Sequence, residues 1–303
     1  MHKITFSEKV KYFGSGAELS DGKLFVSDAD DLKNIPERKD DSHKGTYGTA
    51  LIIAGSKLYG GAPALSAEAA LRSGCGMIKV YTHEDNRGPL LARLPECIII
   101  CDEDPGVLED ELVKADSLVL GPGLSADERA KQITGMVLND FSCPLIVDAD
   151  ALNIIASEHG GYRFPDDPTV IFTPHIGEAA RLLGKEPVFI KENKLAAAKE
   201  IALKCNVITV LKDSVTFISD GESLIINPTG NSGMATAGSG DVLSGILGGL
   251  AARGLEGVDL AVTGVYLHGL AGDGAAAGLG KSSMIASDIV KALSDVLKCH
   301  ELI

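Results

Sequence analysis

The sequence predicts an α/β fold in which a doubly wound, mainly parallel sheet has helices on both faces. Short apolar runs rich in β-branched residues recur along the chain, and helix-like stretches separate them. A short continuous apolar run is typical of a strand that is buried on both faces, as the strands of a parallel sheet are. Strands that alternate with helices indicate crossover connections within one sheet.

The predicted elements follow one another from residue 51 towards the C-terminus. The predicted strands are residues 51–53, 78–81, 118–120, 145–147, 170–172 and 207–210. The predicted crossover helices are residues 63–73, 126–138, 177–183 and 191–204. Only turn residues separate 215–218 from 224–226, which predicts an antiparallel hairpin. The last predicted helices are residues 241–253, 260–277 and 287–298, and Ser287 is the expected N-cap of the final one.

The composition excludes several classes of protein. The 303 residues contain 28 Lys and Arg against 42 Asp and Glu, so the formal net charge is −14. A general nucleic-acid binder or a protein of anionic membrane surfaces needs clustered positive charge, and this balance argues against both. The cysteines show no metal-type spacing. No segment sustains the roughly 18 apolar residues of a membrane span, and the N-terminus has no apolar signal core, so we expect a cytoplasmic protein.

The N-terminal region differs in composition from the remainder of the chain. Residues 1–43 are charged and rich in turn residues, which predicts an N-terminal extension and linker before one large domain at residues 44–303. Within that domain, polar and glycine clusters follow successive predicted strands, at residues 54–56, 121–123, 148–150 and 173–175. Because ligands bind beyond the carboxyl ends of the strands in open α/β sheets, we expect these clusters to share one cleft.

A glycine-rich turn before the predicted helix at 241–253 is the strongest functional signal. Gly238 and Gly240 let the backbone approach an anion closely, and the amides at a helix N-terminus attract negative charge. Asp241 follows directly, and a carboxylate beside an anion pocket is suited to take a proton from a hydroxyl that faces a phosphoryl group. The alternative is that Asp241 only caps the helix, a position at which Asp is favoured.

Five separate segments carry a resemblance to one known family. They are His43-Lys44-Gly45-Thr46-Tyr47-Gly48, Gly60-Gly61-Ala62-Pro63, Asp148-Ala149-Asp150-Ala151-Leu152-Asn153, Thr173-Pro174-His175 with Glu178, and Gly233 to Asp241. Together they resemble the ADP/ATP-dependent NAD(P)H-hydrate dehydratases, from Lys44 to the C-terminus. This resemblance implies a ribokinase-like three-layer sandwich. Residues 5–28 also resemble the end of the NAD(P)H-hydrate epimerase domain found upstream in bifunctional proteins, and an ordinary extension is the equal alternative.

The resemblance implies a reaction and a set of binding residues. Members of the family remove water from hydrated NADH or NADPH while consuming ATP or ADP, with Mg²⁺ as cofactor, and are expected to be homotetramers. The residues that would contact the hydrated dinucleotide are Ala62, Gly123, His175 and Asp241. The residues that would line the adenine nucleotide are Lys212, Asp213, Ser214, Val215, Thr216 and Gly240. Glu178 would organise Mg²⁺ through water, whereas Asp148 and Asp150 either contact Mg²⁺ or orient a loop.

The expected mechanism places catalysis at the glycine-rich turn. Hydroxide is a poor leaving group, since the pKa of water is about 15.7, whereas phosphate leaves as a group with a second pKa of about 6. Asp241 would deprotonate the ring hydroxyl, and Gly238 and Gly240 would help to stabilise the transferring phosphoryl charge. Phosphate would then depart with help from the lone pair of the ring nitrogen.

Two other functions remain open at the level of sequence. A small-molecule kinase of the same fold, such as a vitamin or sugar kinase, would use the same turn and magnesium. Such kinases often carry Asn where His175 follows Pro174, which favours the dehydratase. A nucleotide-sensing protein without turnover is disfavoured by the retention of Asp241. The segment Gly280-Lys281-Ser282 is not expected to be a phosphate-binding P-loop, because position 275 is Ala and the segment follows a helix.

Overall fold

The strands of the described residues form one eleven-stranded sheet at the centre of the protein. The computed structural model describes residues 1–3, 23–101, 104–158, 162–167 and 169–301. The strands are β1 (His2–Lys3), β2 (Leu24–Val26), β3 (Thr49–Ile53), β4 (Met77–Tyr81), β5 (Ile98–Ile100), β6 (Ser117–Leu120), β7 (Leu145–Val147), β8 (Val170–Phe172), β9 (Ile208–Leu211), β10 (Thr216–Ser219) and β11 (Leu224–Asn227). They lie side by side in the order β1-β2-β11-β10-β9-β8-β7-β6-β3-β4-β5.

Most neighbouring strands of the sheet run in parallel. All pairs from β5 to β9 across the sheet are parallel, with β3 next to both β4 and β6. Strand β10 is antiparallel to both β9 and β11. The predicted parallel sheet and the predicted antiparallel hairpin are therefore confirmed.

Helices cover both faces of this sheet. They are α1 (Gly61–Arg72), α2 (Arg87–Arg93), α3 (Pro105–Leu112), α4 (Glu128–Asp140), α5 (Ala149–Glu158), α6 (Ile176–Leu183), α7 (Pro187–Glu192), α8 (Lys194–Cys205), α9 (Ser239–Ala252), α10 (Gly257–Leu279) and α11 (Ala286–Glu301). Apolar residues of α1, α2, α9, α10 and α11 belong to one core cluster, and those of α3 to α8 belong to the other. The protein is thus a three-layer sandwich.

The side chains of each central strand alternate between the two cores. Ile52 of β3 is in register with Val119 of β6, and both pack against the α9 face. Their neighbours Leu51 and Leu118 are also in register and pack on the opposite face. All four side chains are completely buried. Because burial of such a side chain contributes about 1.5–3 kcal/mol, short strands of this kind are held firmly between the two helical layers.

The structure confirms the predicted strands and helices within a few residues and adds several that the sequence patterns did not predict. Helix α5, which only Asp148 separates from β7, was not predicted, and α2, α3, β2 and β5 are likewise additions. The expected N-cap role of Ser287 is wrong, because α11 already begins at Ala286. The Asp288 carboxylate instead accepts a hydrogen bond of 3.1 Å from the Ile285 amide at this helix start.

Part of the predicted N-terminal extension packs on the large domain. Strand β2 pairs in parallel with β11, and Thr263 Oγ1 of α10 donates a hydrogen bond of 2.9 Å to the Asp31 carbonyl. Most of the segment that resembles an epimerase domain, namely its residues 5–22, lies outside the described residues. Its origin and the boundary at residue 43 stay predictions. None of the helices in the described ranges combines the length and the apolar character needed to cross a bilayer.

Candidate active site

A cavity opens where the order of the strands changes direction. The chain runs outward from β3 to β5 on one side of the sheet and from β6 to β9 on the other, so β3 and β6 flank the switch point. In open α/β sheets such a switch point creates a crevice beyond the strand ends. The cavity there has a volume of about 460 Å³. Its lining residues are Leu58, Tyr59, Gly61, Ala62, Leu65, Gly123, Asp150, Ala237, Gly238 and Asp241.

The glycine-rich turn ends at the N-terminus of α9, on the wall of this cavity. Gly238 is the N-cap of α9 and has a φ of 90°, a left-handed conformation that glycine adopts without strain. A Cβ at this position would also lie 2.4 Å from Leu65 Cδ1. The first amides of a helix have no partner within it and carry the positive end of the helix dipole. This part of the cavity wall is therefore suited to hold an anion.

Asp241 is the third residue of α9 and lines the cavity. The structure excludes the capping alternative, because Gly238 occupies the N-cap. Among the described residues, no hydrogen bond engages the Asp241 carboxylate. Burial and the nearby negative charge of Asp148 raise the pKa of Asp241 to about 7. A carboxyl group with this pKa can exchange a proton near neutral pH, as a general base must.

Lys212 lies directly behind the glycine-rich turn. It follows β9, and its ammonium is 2.7 Å from Asp148 Oδ1. A Cβ at Gly240 would lie only 3.2 Å from Lys212 Nζ, so the absence of a side chain at Gly240 leaves the ammonium next to the helix start. Burial lowers the pKa of Lys212, but Asp148 and Glu178 outweigh it and hold this pKa above its ordinary value. Lys212 is therefore a fixed positive charge beside the predicted anion site.

His175 and Glu178 form a capping box at the start of α6. His175 Nδ1 accepts hydrogen bonds of 2.9 Å and 3.2 Å from the amides of Gly177 and Glu178. Glu178 Oε2 accepts one of 2.8 Å from the His175 amide, and Glu178 Oε1 is 3.2 Å from His175 Nε2. These contacts place the imidazole proton on Nε2. Burial lowers the pKa of His175 and raises that of Glu178 to about 7, so the imidazole is neutral at physiological pH.

The structure brings some of the predicted site residues together and separates others. Ala62, Gly123 and Asp241 line one cavity, whereas His175 is not among its lining residues. His175 is connected to the site through Lys212, because the two form a parallel bridge and the Lys212 amide donates a hydrogen bond of 2.8 Å to the Pro174 carbonyl.

Of the predicted nucleotide-binding residues after Lys212, Asp213 to Val215 form the turn between β9 and β10, and Thr216 begins β10. Asp213 and Ser214 are exposed, whereas Val215 and Thr216 are partly buried. The Asp213 carboxylate pairs with the Lys194 ammonium at the start of α8. None of these residues lines the cavity, but Lys212 links the turn to Gly240. Their contact with a nucleotide stays a prediction.

A comparison with known families decides the classification. The family model described as NAD(P)H-hydrate dehydratase matches residues 50–295, most of the chain. The chain belongs to this family. The resemblance and the ribokinase-like fold that were predicted from the sequence are therefore confirmed.

Individual members of the NAD(P)H-hydrate dehydratase family support the assignment. A bifunctional NAD(P)H-hydrate repair enzyme of Moorella thermoacetica is 40% identical over 276 residues, which cover 87% of this chain and 52% of that protein. The chain thus spans about half the length of the bifunctional relatives it matches. An ADP-dependent (S)-NAD(P)H-hydrate dehydratase of Enterococcus faecalis is 36% identical over 241 residues, covering 79% of this chain and 81% of that protein.

A solved structure of another member has the same fold. The ADP/ATP-dependent NAD(P)H-hydrate dehydratase of Bacillus subtilis, co-crystallised with ATP and Mg²⁺, superimposes with a TM-score of 0.81 at 30% identity. The match covers 92% of this chain and 99% of that structure.

Several residues at the site were not singled out from the sequence. Leu58, Tyr59 and Leu65 line the cavity, and the Ser244 hydroxyl contacts Asp148 one helical turn beyond Gly240. The sequence could have indicated Ser244, because it places a hydroxyl in the otherwise apolar stretch after Asp241. Tyr59 is an aromatic residue beside Gly60-Gly61, and nothing in the local pattern distinguishes it from a surface residue.

The carboxylates of the site would hold Mg²⁺ together with the phosphates of a nucleotide. The described residues form no cluster of three or more His, Cys, Asp or Glu side chains that could hold a metal ion. Mg²⁺ commonly keeps several waters and binds substrate phosphates with few protein ligands, so such a cluster is not required. Both oxygens of Glu178 contact His175, and the contact of Glu178 with Mg²⁺ through water stays a prediction.

Proposed function

We propose that this protein catalyses the ADP- or ATP-dependent dehydration of (6S)-hydrated NADH or NADPH back to NADH or NADPH. One observation carries the proposal: the cavity at the switch point brings an unengaged carboxylate, Asp241, to the amide-lined turn at Gly238. Membership of the dehydratase family selects a hydrated nicotinamide as the bearer of the hydroxyl. The bifunctional relatives are named as repair enzymes, and the proposed role is the repair of damaged cofactor.

Phosphorylation makes the elimination feasible. Asp241 accepts the proton of the ring hydroxyl, and the hydroxyl oxygen bonds to the terminal phosphorus as the bond to the departing ADP or AMP breaks. The free amides at the start of α9 and the Lys212 ammonium stabilise the negative charge of the transferring group. The lone pair of the ring nitrogen then expels phosphate, and loss of a proton from the neighbouring ring carbon restores the double bond. Bound Mg²⁺ supplies further neutralisation of phosphate charge.

The raised pKa of Asp241 sets the expected pH dependence. Only the ionised carboxylate accepts a proton, and burial holds its pKa at about 7. The rate at limiting substrate should therefore rise as the pH increases through about 7 and fall roughly tenfold for each unit below it.

Product analysis tests the proposal against a kinase of the same fold. The protein is incubated with hydrated NADH or NADPH, Mg²⁺ and either ATP or ADP. The dehydratase yields inorganic phosphate in step with the absorbance of reduced nicotinamide, whereas a kinase accumulates a stable phosphorylated compound. Binding of nucleotide and hydrated dinucleotide without any product would instead indicate a sensing protein.

The resemblance adds three proposals about assembly and context. They are a homotetrameric state, a cytoplasmic location and an NAD(P)H-hydrate epimerase as a fused or separate partner. The first is tested by light scattering coupled to gel filtration, in which the expected mass is four times the 31.5 kDa of the chain.

A further inference from the structure

Asp148 is a buried carboxylate whose function the sequence leaves open. It follows β7 directly and is 1% exposed. Its Oδ1 atom is 2.7 Å from Lys212 Nζ, and its Oδ2 atom accepts a hydrogen bond of 2.7 Å from Ser244 Oγ. Burial by itself raises the pKa of Asp148, but Lys212, Ser244 and Thr173 outweigh burial and hold this pKa below its ordinary value. Asp148 is therefore ionised inside the protein.

The backbone next to Asp148 is strained on one side and closely packed on the other. Ala149 has a φ of 50°, a left-handed conformation that costs energy for a residue with a side chain. A Cβ at Gly121 would lie 2.0 Å from the Asp148 carbonyl oxygen, so the end of β6 can approach only because Gly121 has none. With this conformation Asp148 is buried, whereas Asp150 lines the cavity.

Asp148 links Lys212 to the first turn of α9. The Ser244 hydroxyl that contacts Asp148 is also 3.1 Å from the Gly240 carbonyl oxygen. A Cβ at Gly240 would lie 3.7 Å from Asp148 Oδ2 as well as 3.2 Å from Lys212 Nζ. The carboxylate thus contacts the ammonium with one oxygen and, through Ser244, supports the helix start with the other.

We infer that Asp148 is a positioning residue, which holds the Lys212 ammonium beneath Gly240 so that it faces the phosphoryl group transferred at the glycine-rich turn. The inference rests on the dehydration reaction proposed above. A long lysine side chain loses considerable rotamer freedom when it is fixed, and the ion pair with Asp148 supplies that constraint before substrate binds. Asp148 is buried, does not line the cavity and has a protein partner at each oxygen, so the geometry favours positioning of Lys212 over direct binding of Mg²⁺.

The charges around Asp241 give a readout that loss of folding would not produce. Asp148 raises the pKa of Asp241, and Lys212 lowers it. Replacement of Asp148 by Asn removes the negative charge and frees Lys212 to approach Asp241. Both changes favour the ionised form of Asp241, so the acid limb of the pH profile should move to lower pH.

The experiment compares Asp148→Asn with Lys212→Met, with the double variant and with Ser244→Ala as a control that keeps the charge of Asp148. We expect Asp148→Asn to lower kcat at least tenfold, with a smaller change in the KM for ATP and an acid limb at lower pH. In the Lys212→Met background the same replacement should lower kcat little further, because residues that act through one contact are not additive. Ser244→Ala should leave the acid limb where the wild type has it.

Several outcomes would overturn the inference. They are an unmoved acid limb in Asp148→Asn, losses of kcat that multiply in the double variant, or recovery of Asp148→Asn at high Mg²⁺ concentration, which would indicate direct metal binding. If Asp148→Asn does not fold, Lys212→Met decides, since an unchanged kcat in that variant would contradict the role of the ammonium.

A measurement without turnover separates this inference from the proposed function. The pKa of the Lys212 ammonium can be followed by NMR on methylated lysine, with Lys212→Met to assign the signal. It should fall in Asp148→Asn, because Asp148 raises it. Wild-type protein that fails to dehydrate hydrated NADH would contradict the proposed function alone, whereas an unchanged Lys212 pKa would contradict the positioning by Asp148 alone.

Discussion

The first turn of α9 and the body of the same helix both depend on glycine, for opposite reasons. Gly238 lines the cavity and Gly240 leaves room for the Lys212 ammonium. In the body of the helix, a Cβ at Gly245 would lie 2.1 Å from the Ser66 carbonyl oxygen, and one at Gly249 would lie 2.5 Å from that of Ala70. The glycines of the first turn keep the backbone open to a ligand, whereas those of the body let α1 pack closely against α9.

This difference shows that a glycine acquires its role from its surroundings and not from the motif in which it stands. Close packing of α9 on α1 holds the helix in place, and a rigid helix in turn fixes where its first amides point. The body of α9 therefore serves the site indirectly. Variants in the two parts should therefore differ in their effects. Substitutions in the first turn should mainly lower turnover, and substitutions in the body should mainly lower stability.

The largest effect is expected at Asp241, the one acidic side chain of the first turn. Asp241→Asn preserves size but cannot accept the hydroxyl proton, so kcat should fall by about 10²–10⁴-fold. Nucleotide binding, measured by calorimetry, should change little. Near-normal turnover in this variant would refute the assignment of Asp241 as the base.

The next largest effect is a loss of stability in the body of the helix. Gly249→Ala places a methyl group against the backbone of Ala70, which cannot move aside without shifting α1. Overpacking of this kind typically costs about 1–3 kcal/mol, which a urea titration of unfolding would detect. The kcat of the folded fraction should fall far less than in Asp241→Asn, and a variant with normal stability but poor turnover would contradict the proposed division of roles.

A smaller effect is expected at Gly240, where the substitution should lower turnover and leave stability almost unchanged. The methyl group of Gly240→Ala would lie 3.2 Å from Lys212 Nζ, and this displacement of the ammonium should lower kcat about tenfold, or about 1.4 kcal/mol. The free energy of unfolding should change by less than about 1 kcal/mol, because alanine is favoured in a helix. A parallel loss of stability and activity would place Gly240 with the packing glycines instead.

The smallest effect is expected at Gly278, near the end of α10, where a Cβ would meet nothing within 4 Å. Gly278→Ala should stabilise the protein by about 0.5–1 kcal/mol, because the unfolded chain loses freedom and no contact is disturbed. Thermal unfolding measures this gain, and kcat should not change. A destabilised variant would show that surroundings alone do not predict the effect of glycine.

Local patterns in the sequence determined most of the fold and the central feature of the site. The apolar runs that form β3, β6 and β7 are continuous because these strands are buried on both faces, and continuity is visible without a structure. The turn at Gly238 and Gly240 is likewise local. Strand β5 was not predicted, because it is a short edge strand. Helix α5 was not predicted either, because only Asp148 separates it from β7 and no turn marks its start.

Only the tertiary structure decided how the carboxylates divide their roles. Asp148 and Asp150 stand two positions apart in one motif, yet the first is buried against Lys212 and the second lines the cavity. The partners of Asp148 are 64 residues away at Lys212 and 96 residues away at Ser244. A local pattern records which residues suit a strand or a helix, but it carries no information about such distant contacts, because they exist only once the strands and helices have packed together.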